Sequence, residues 1–349
     1  MCEQLIVDGV SVSADTLPEW RKGRTGIAAE LADFLTDWFS NSSTMELQTS
    51  GSTGKPKIMR ATKAAMRAGA AMSCEYFGLT AANRVLLSLP MRYIAGKMMV
   101  VRALVSGATL QLQEPCSTPL ANLTSPVDFV PLVPMQVANT LKQENGKQQL
   151  ALAKSILLGG GFIDPALAEQ LQHIHGRIYA SYGMTETLSH IALRHVNGPK
   201  RSDWYTPLRG VSLSISADDT LVITAPHLGV TELVTNDLAE IRADGTFRIL
   251  GRRDAVINSG GIKIQAEEIE QRLSASTGLT LLAVPAPDSI LGQCVALLWE
   301  GEDDAESSLQ AAIQSLPAYH RPRIVRHLPL LPRTATGKLS RAQAIELLR

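Results

Sequence analysis

Between residues 62 and 182, short apolar runs bounded by glycine or proline alternate with longer amphipathic stretches, and this rhythm limits the possible folds more than any other feature. Thr62 is placed to cap an alanine-rich helix that runs to about Phe77 and stops at Gly78: a threonine hydroxyl satisfies a free N–H at a helix start, and glycine adopts the left-handed turn at its end. Residues 85–89 read as a buried strand ending at Pro90, and a helix over about 95–106 leads through Gly107 to a strand at 109–112. The unit then repeats. A strand at 128–133 precedes Pro134, which opens the next helix; a strand at 155–158 ends in Gly159-Gly160-Gly161. Asp164-Pro165 opens a helix to about His173, and residues 177–182 complete the series. Strands alternating with helices pair in parallel and are covered on both faces, so an α/β fold with a helix-covered, mostly parallel sheet is expected.

The flanks read differently. Ile27, Leu31, Phe34, Leu35 and Trp38 recur at helical spacing and predict an amphipathic helix over about 25–40. After about residue 207, short strand-like runs at 211–215, 221–224, 233–235 and 247–250, with an Asp244-Gly245 hairpin turn, predict a small β subdomain. Beyond Gly251 a new α+β unit begins, with helices starting near 267, over about 304–315 and at the chain end, and strands at 281–284 and 295–299. The charged Arg252-Arg253-Asp254 is the expected boundary: 1–251 a large domain, 252–254 a hinge, 255–349 a smaller mobile domain.

Composition excludes several function classes. The 33 basic residues balance the 33 acidic ones, which gives no electrostatic footprint for nucleic acid or an anionic membrane. The first residues lack a basic segment followed by an apolar core, and the apolar run at 98–105 is broken by Arg102, so a cytoplasmic location without membrane insertion is expected. Cys2, Cys74, Cys116 and Cys294 are scattered without metal-type spacing and read as reduced thiols.

Chemistry concentrates in a few strings. Thr49-Ser50-Gly51-Ser52-Thr53-Gly54-Lys55-Pro56-Lys57 packs hydroxyls, glycines and lysines into one run, as a phosphate-cradling loop would. It is not a Walker loop, because Lys55 is followed by proline and a strand-like run. Taken alone it is equally a surface turn. Gly159-Gly160-Gly161 and Tyr182-Gly183-Met184-Thr185-Glu186-Thr187 each end a predicted strand, where open α/β sheets bind ligands. Thr235-Asn236-Asp237, Gly251-Arg252-Arg253-Asp254, residues 257–270 and Pro332-Arg333-Thr334-Ala335-Thr336-Gly337-Lys338 follow.

In that order these strings resemble the motifs of the AMP-forming adenylating enzymes, the superfamily of acyl-CoA synthetases, adenylation domains and luciferases, over most of the chain. The resemblance implies that ATP or AMP is held by Thr49, Ser50, Gly51, Ser52, Thr53, Gly54 and Lys55, with Gly160, Tyr182 and Gly183 at the adenine, and Asp237 and Arg252 at the ribose. It implies Thr185 at the α-phosphate, Glu186 on Mg²⁺, Lys338 as catalytic lysine, and Asp254 as the residue that absorbs a domain rotation. Asn236 stands where the family has glycine, and only 48 residues precede the first loop, so a shortened large domain is expected.

Within the superfamily, residues 185–191 and the 89–96 stretch are most similar to the o-succinylbenzoate–CoA ligases of menaquinone biosynthesis, although Arg92-Tyr93 replaces a Phe-His pair. That implies an acid–thiol ligase using ATP, Mg²⁺ and CoA. A dicarboxylate acid needs a cation for its second carboxylate, from Arg92, Lys97 or Arg102, with Tyr93 and Gly159 beside its ring. Another aryl- or acyl-CoA ligase, or a stand-alone domain loading a carrier protein, remains open, as does a homo-oligomer.

Overall fold

The computed structural model describes residues 3–48, 58–161, 163, 165–301, 305–334 and 337–348. It opens with a hairpin of β1 (Gln4–Val7) and β2 (Val10–Ser13). Its turn is Asp8-Gly9, with φ of 48° and 84°, the pair of left-handed residues that a two-residue hairpin turn needs. No strand is expected here from sequence, although Asp-Gly between alternating runs carries that signal. After α1 (Leu17–Arg21) comes α2 (Gly26–Phe39), which buries Ile27, Leu31, Phe34, Leu35 and Trp38 as their spacing predicts. Each large side chain so buried contributes about 1.5–3 kcal/mol.

β3 (Thr44–Gln48) and β4 (Ile58–Thr62) pair antiparallel and bracket the first motif loop. That loop, residues 49–57, lies outside the described residues. Helix α3 (Lys63–Phe77) is capped as expected: Thr62 Oγ1 accepts from the Ala65 N–H at 3.1 Å, and Gly78 closes it at φ 66°. β5 (Arg84–Leu87), α4 (Ile94–Ser106) and β6 (Thr109–Leu112) follow. Gly96 in α4 is required by packing, since a Cβ there would lie 2.5 Å from the Pro90 carbonyl oxygen. The chain leaving β5 crosses directly over the helix at this glycine.

Next come β7 (Val130–Leu132), α5 (Pro134–Leu141), α6 (Gly146–Ala151), β8 (Ser155–Leu158), α7 (Pro165–Gln170), β9 (Arg177–Gly183), β10 (His190–His195) and β11 (Thr206–Pro207). The expected cap Asp164 is outside the described residues, but Pro165 does open α7. One sheet runs β2-β1-β6-β5 and another β11-β10-β9-β8-β7. A parallel bridge from Val85 to Phe129 joins them. The interior pairings are parallel, while β2 and β10–β11 run antiparallel at the edges. The fold is mixed α/β.

A separate antiparallel sheet runs β12 (Ser212–Ile215), β13 (Thr220–Ala225), β14 (Val230–Ile241) and β15 (Phe247–Arg252). The short strand expected at 233–235 is therefore part of a twelve-residue strand. Asn236 sits within it without positive φ, so the glycine that the family uses there is not needed for the backbone. The remainder builds a last sheet from β16 (Val256–Ser259), β17 (Ile262–Gln265), β18 (Thr280–Asp288), β19 (Gly292–Glu300) and β20 (Ile324–His327), with α8 (Ala266–Thr277), α9 (Glu306–Ser315) and α10 (Arg341–Leu347).

Among the described residues, the apolar clusters divide at the same place. Three are drawn from the first 247 residues, and two contain only residues from Ala255 onward. No helix of the described residues is long and apolar enough to cross a membrane, and Cys74, Cys116 and Cys294 are free thiols.

Candidate active site

The parallel strands β7, β8 and β9 end side by side, so Val133, Gly159-Gly160-Gly161 and Ser181-Tyr182-Gly183 meet at one edge of the sheet. Ser181 Oγ donates to the Leu158 carbonyl at 2.9 Å. A Cβ on Gly159 would stand 2.8 Å from that hydroxyl, and Gly160 turns at φ 73°. Glycine leaves this edge open, as close approach of a flat ligand demands.

From there the chain enters a tight turn before β10. Gly183 sits against the returning strand: a Cβ would lie 2.2 Å from the Ser189 carbonyl oxygen and 2.6 Å from His190 Cα. Its absence lets β9 and β10 close around residues 184–189. Thr187, fully buried, holds the turn; its Oγ1 accepts from the Met184 N–H at 3.0 Å and faces the Ser189 carbonyl oxygen at 2.8 Å. Leu188 takes the left-handed φ of 62° that the tight reversal imposes. Thr185 is half-buried and Glu186 exposed at the apex. Among the described residues no group of three or more His, Cys, Asp or Glu is placed to hold a metal unaided. An open single carboxylate suits Mg²⁺ shared with substrate phosphates, because that ion prefers a few carboxylate oxygens plus phosphate and water.

Tyr182, Asp237, Arg252 and Asp254 form a chain of contacts. Tyr182 Oη donates to Asp237 Oδ2 at 2.6 Å, and Arg252 Nη1 donates to Asp237 Oδ1 at 3.1 Å. Arg252 also grips Asp254 bidentately, Nε to Oδ1 at 2.8 Å and Nη2 to Oδ2 at 2.7 Å. β14 and β15 pair Asp237 directly with Arg252, which fixes the second link. Burial first, then the Asp237 charge, pushes the Tyr182 phenol far above its ordinary pKa, so it is a neutral donor. The Arg252 hydrogen bonds hold Asp254 below the usual carboxylate range.

Lys338 approaches the same cluster from the far end of the sequence. Its loop closes on itself, with the Thr334 N–H donating to the Lys338 carbonyl at 2.7 Å and Gly337 at φ 81°. Arg333 Nη2 ties the loop to Glu300 Oε1 at 2.6 Å. A Cβ on Gly337 would reach within 3.8 Å of Met135 Cε, on the helix that begins beside the glycine run. The lysine keeps solvent-exposed surface, yet protein atoms crowd its ammonium. That desolvation, and secondarily the Arg252 charge, lower its pKa below the ordinary lysine value, with Asp237 opposing.

Of the three cations considered for an acid pocket, each has a different setting. Arg92 is exposed and its guanidinium lies over the Tyr93 ring, 4.8 Å from the centroid. Lys97 Nζ donates to the Glu46 carbonyl at 3.0 Å, bracing the strand that enters the first motif loop. Arg102 is buried, with Nε donating to Ser73 Oγ at 2.8 Å and Nη2 to Ser189 Oγ at 2.5 Å, and Nη2 3.3 Å from His190 Nδ1.

The structure thus gathers Gly160, Tyr182, Gly183, Asp237, Arg252, Asp254 and Lys338 around one edge, with Thr185 and Glu186 on the adjoining turn. Thr49, Ser50, Gly51, Ser52, Thr53, Gly54 and Lys55 lie outside the described residues. Sequence reading did not single out Thr187 as the hydroxyl that holds the turn, nor Ser181 beside Gly159. A hydroxyl side chain is ordinary in either position until the fold shows its partners.

Known proteins are similar to this chain. The AMP-binding enzyme family matches residues 39–229. The 2-succinylbenzoate–CoA ligase of Lactococcus lactis is 28% identical over 323 residues, 85% of this chain and 69% of its own. The crystal structure of an acyl-CoA synthetase (AMP-forming)/AMP-acid ligase II-like protein from Dyadobacter fermentans is 33% identical, with a TM-score of 0.66, and covers 97% of this chain and 99% of its own. The o-succinylbenzoate CoA synthetase of Bacillus subtilis, solved with its acyl-adenylate intermediate, is 25% identical with a TM-score of 0.72, over 86% of this chain and 68% of its own. With its family matched over more than half its length, this chain belongs to the AMP-binding enzyme family.

Proposed function

We propose that this chain is an AMP-forming acid–CoA ligase that converts 2-succinylbenzoate to its CoA thioester, using ATP, Mg²⁺ and CoA, in menaquinone biosynthesis. The observation that favours this acid is Arg102. It is a buried guanidinium whose partners are two hydroxyls and a histidine, and no described carboxylate pairs with it. Burial lowers its pKa only to about 10, so it is charged at neutral pH. A buried cation lacking a counter-ion is costly unless something negative arrives. His190 strengthens the reading. Burial and the Arg102 charge push its pKa well below the ordinary value, so the ring is neutral. With Nδ1 facing Arg102 as acceptor, Nε2 carries the proton, and it is buried with no partner among the described residues. An acid with a second carboxylate satisfies both.

The proposed chemistry has two stages. The carboxylate of the acid attacks the α-phosphorus of ATP, forming a C–O–P linkage and breaking the Pα–O–Pβ bond, so pyrophosphate leaves. Thr185 and Lys338 donate to the oxygens on which negative charge develops, and Asp237 and Arg252 orient the ribose. Glu186 would hold Mg²⁺, which would supply neutralising charge. The CoA thiol then loses its proton to solvent as its sulfur attacks the carbonyl carbon, and AMP departs with the C–O electrons. We assign residues 1–251 to the nucleotide and acid, 252–254 to the hinge, and 255–349 to the body that moves between stages; the division of the apolar cores at Ala255 supports this. Rotation about Asp254 withdraws Lys338 and opens the way for the thiol.

Pyrophosphate release with CoA across 2-succinylbenzoate, benzoate, short fatty acids and amino acids tests the reading. Turnover selective for 2-succinylbenzoate supports it. Turnover with another acid overturns the substrate assignment, and faster transfer to a carrier-protein phosphopantetheine than to free CoA overturns the acceptor.

A further inference from the structure

Gln265 ends β17 and precedes α8, within the 257–270 string, where no role has been assigned to it. Its Nε2 donates to the Arg252 carbonyl at 3.0 Å and to Glu267 Oε2 at 2.5 Å. The amide also occupies the place where residue 251 would carry a side chain: a Cβ on Gly251 would stand 2.2 Å from Gln265 Nε2, and Gly251 holds a φ of 153°. A side chain seated this closely, bonded on both sides, spans Arg252 at the start of the hinge and Glu267 beyond it. The connection continues, since Glu267 Oε1 pairs with Arg341 Nη2 at 3.0 Å. Arg341 begins α10, three residues after Lys338.

We infer that Gln265 is a positioning residue for adenylation, a clasp across the hinge that favours the arrangement in which Lys338 faces Arg252 and Asp237. The inference rests on the hinge reading proposed for residues 252–254. Rotation of the backbone at Asp254 carries Gln265 away from the Arg252 carbonyl, so the clasp must open before the second stage. Its bond to the Arg252 carbonyl, which crosses the hinge, therefore acts in opposite senses on the two half-reactions. A residue that only stabilised the fold would slow both alike.

Two variants separate these roles. Gln265→Leu keeps the bulk and removes the donor, and Gln265→Glu keeps the shape but sets an acceptor against the Arg252 carbonyl and Glu267. Loss of such a bond shifts a conformational equilibrium about three- to tenfold. The expected result is an adenylation rate, read as ATP–pyrophosphate exchange, lower by that factor, with thioester formation from supplied acyl-adenylate unchanged or faster. Equal losses in both half-reactions, or none in either, would overturn the clasp. Trypsin cleavage after Arg253, whose side chain is half exposed, gives a readout that needs no substrate. Cleavage accelerated about three- to tenfold in both variants, at unchanged melting temperature, supports the clasp, and an unchanged rate overturns it. A parent chain that activates no acid, beside variants that are cleaved faster, would refute the ligase reading and leave the clasp standing.

Discussion

Tyr182 Oη donates a 2.6 Å hydrogen bond to Asp237 Oδ2, joining the end of a parallel strand to the middle of an antiparallel one 55 residues away. The Tyr182 ring packs edge-on against Phe247, with centroids 5.3 Å apart, so its orientation is fixed from two directions. Tyr182→Phe keeps that packing and removes only the bond to the carboxylate. A hydrogen bond to a charged group contributes about 1.5–3 kcal/mol. The KM for ATP is therefore expected to rise about tenfold or more while the KM for the acid holds, as steady-state kinetics with each substrate varied would show.

Gly183 makes a different kind of demand. Its α-hydrogen faces backbone, not a flexible side chain, with Ser189 O and His190 Cα inside the space a methyl would fill. Gly183→Ala must push β9 and β10 apart, at a cost on the order of 1–3 kcal/mol. Because the displaced turn carries Thr185 and Glu186, adenylate formation should fall by more than the thermal melt alone predicts.

For Lys338 the sign of the pH effect follows from its surroundings. Crowding by protein atoms and the Arg252 charge lower its pKa. The charged form to which we assign the adenylation role is therefore lost as pH rises through a value below 10.5. The adenylation rate should fall on that alkaline limb, and Lys338→Arg should move the limb upward, since a guanidinium stays protonated. Lys338→Ala should abolish adenylation but spare thioester formation from supplied adenylate, and Asp254→Pro should reverse that pattern. The Arg252–Asp254 pair responds at the other extreme. Its contribution to stability is present above pH 3.8 and lost as pH falls through the lower folded-state pKa of Asp254.

Arg102 separates the acid from the nucleotide. Arg102→Lys retains the charge and loses the planar fork; Arg102→Met also removes the charge. The KM for 2-succinylbenzoate should rise by about tenfold or more in the first variant and further in the second, with the KM for ATP changed far less. Parallel rises in both constants would show that the residue only braces α4 against residues 189–190.

Much of this was legible in the chain because the relevant signals are local. Thr62 and Gly78 bound α3 as their chemistry dictates, and Ile27 through Trp38 mark the buried face of α2. The strand ends at Gly159–Gly161 and Tyr182 are legible for the same reason, and they mark the candidate ligand edge: glycine and an apolar run of four to seven residues carry their own meaning. What stayed hidden depends on distant partners. Asp237 reads as a motif residue, but its bonds to Tyr182 and Arg252 exist only once β14 and β15 pair. Lys97 and Arg102 look alike in sequence, yet one meets a carbonyl and the other is buried among hydroxyls. The Asp8-Gly9 hairpin is local too: its turn signal is in the sequence, but the runs on either side of it are only four residues long.

The central claim is that the acid is activated as an acyl-adenylate, and a single-turnover quench measures that directly. Enzyme in excess over 2-succinylbenzoate is mixed with ATP and Mg²⁺ without CoA, stopped with acid and resolved by mass spectrometry. The account predicts acyl-adenylate and pyrophosphate in equal amounts, both formed before CoA is present, and conversion of the adenylate to thioester and AMP once CoA is added. ADP with an acyl phosphate, or ATP hydrolysis without any adenylate, would contradict it.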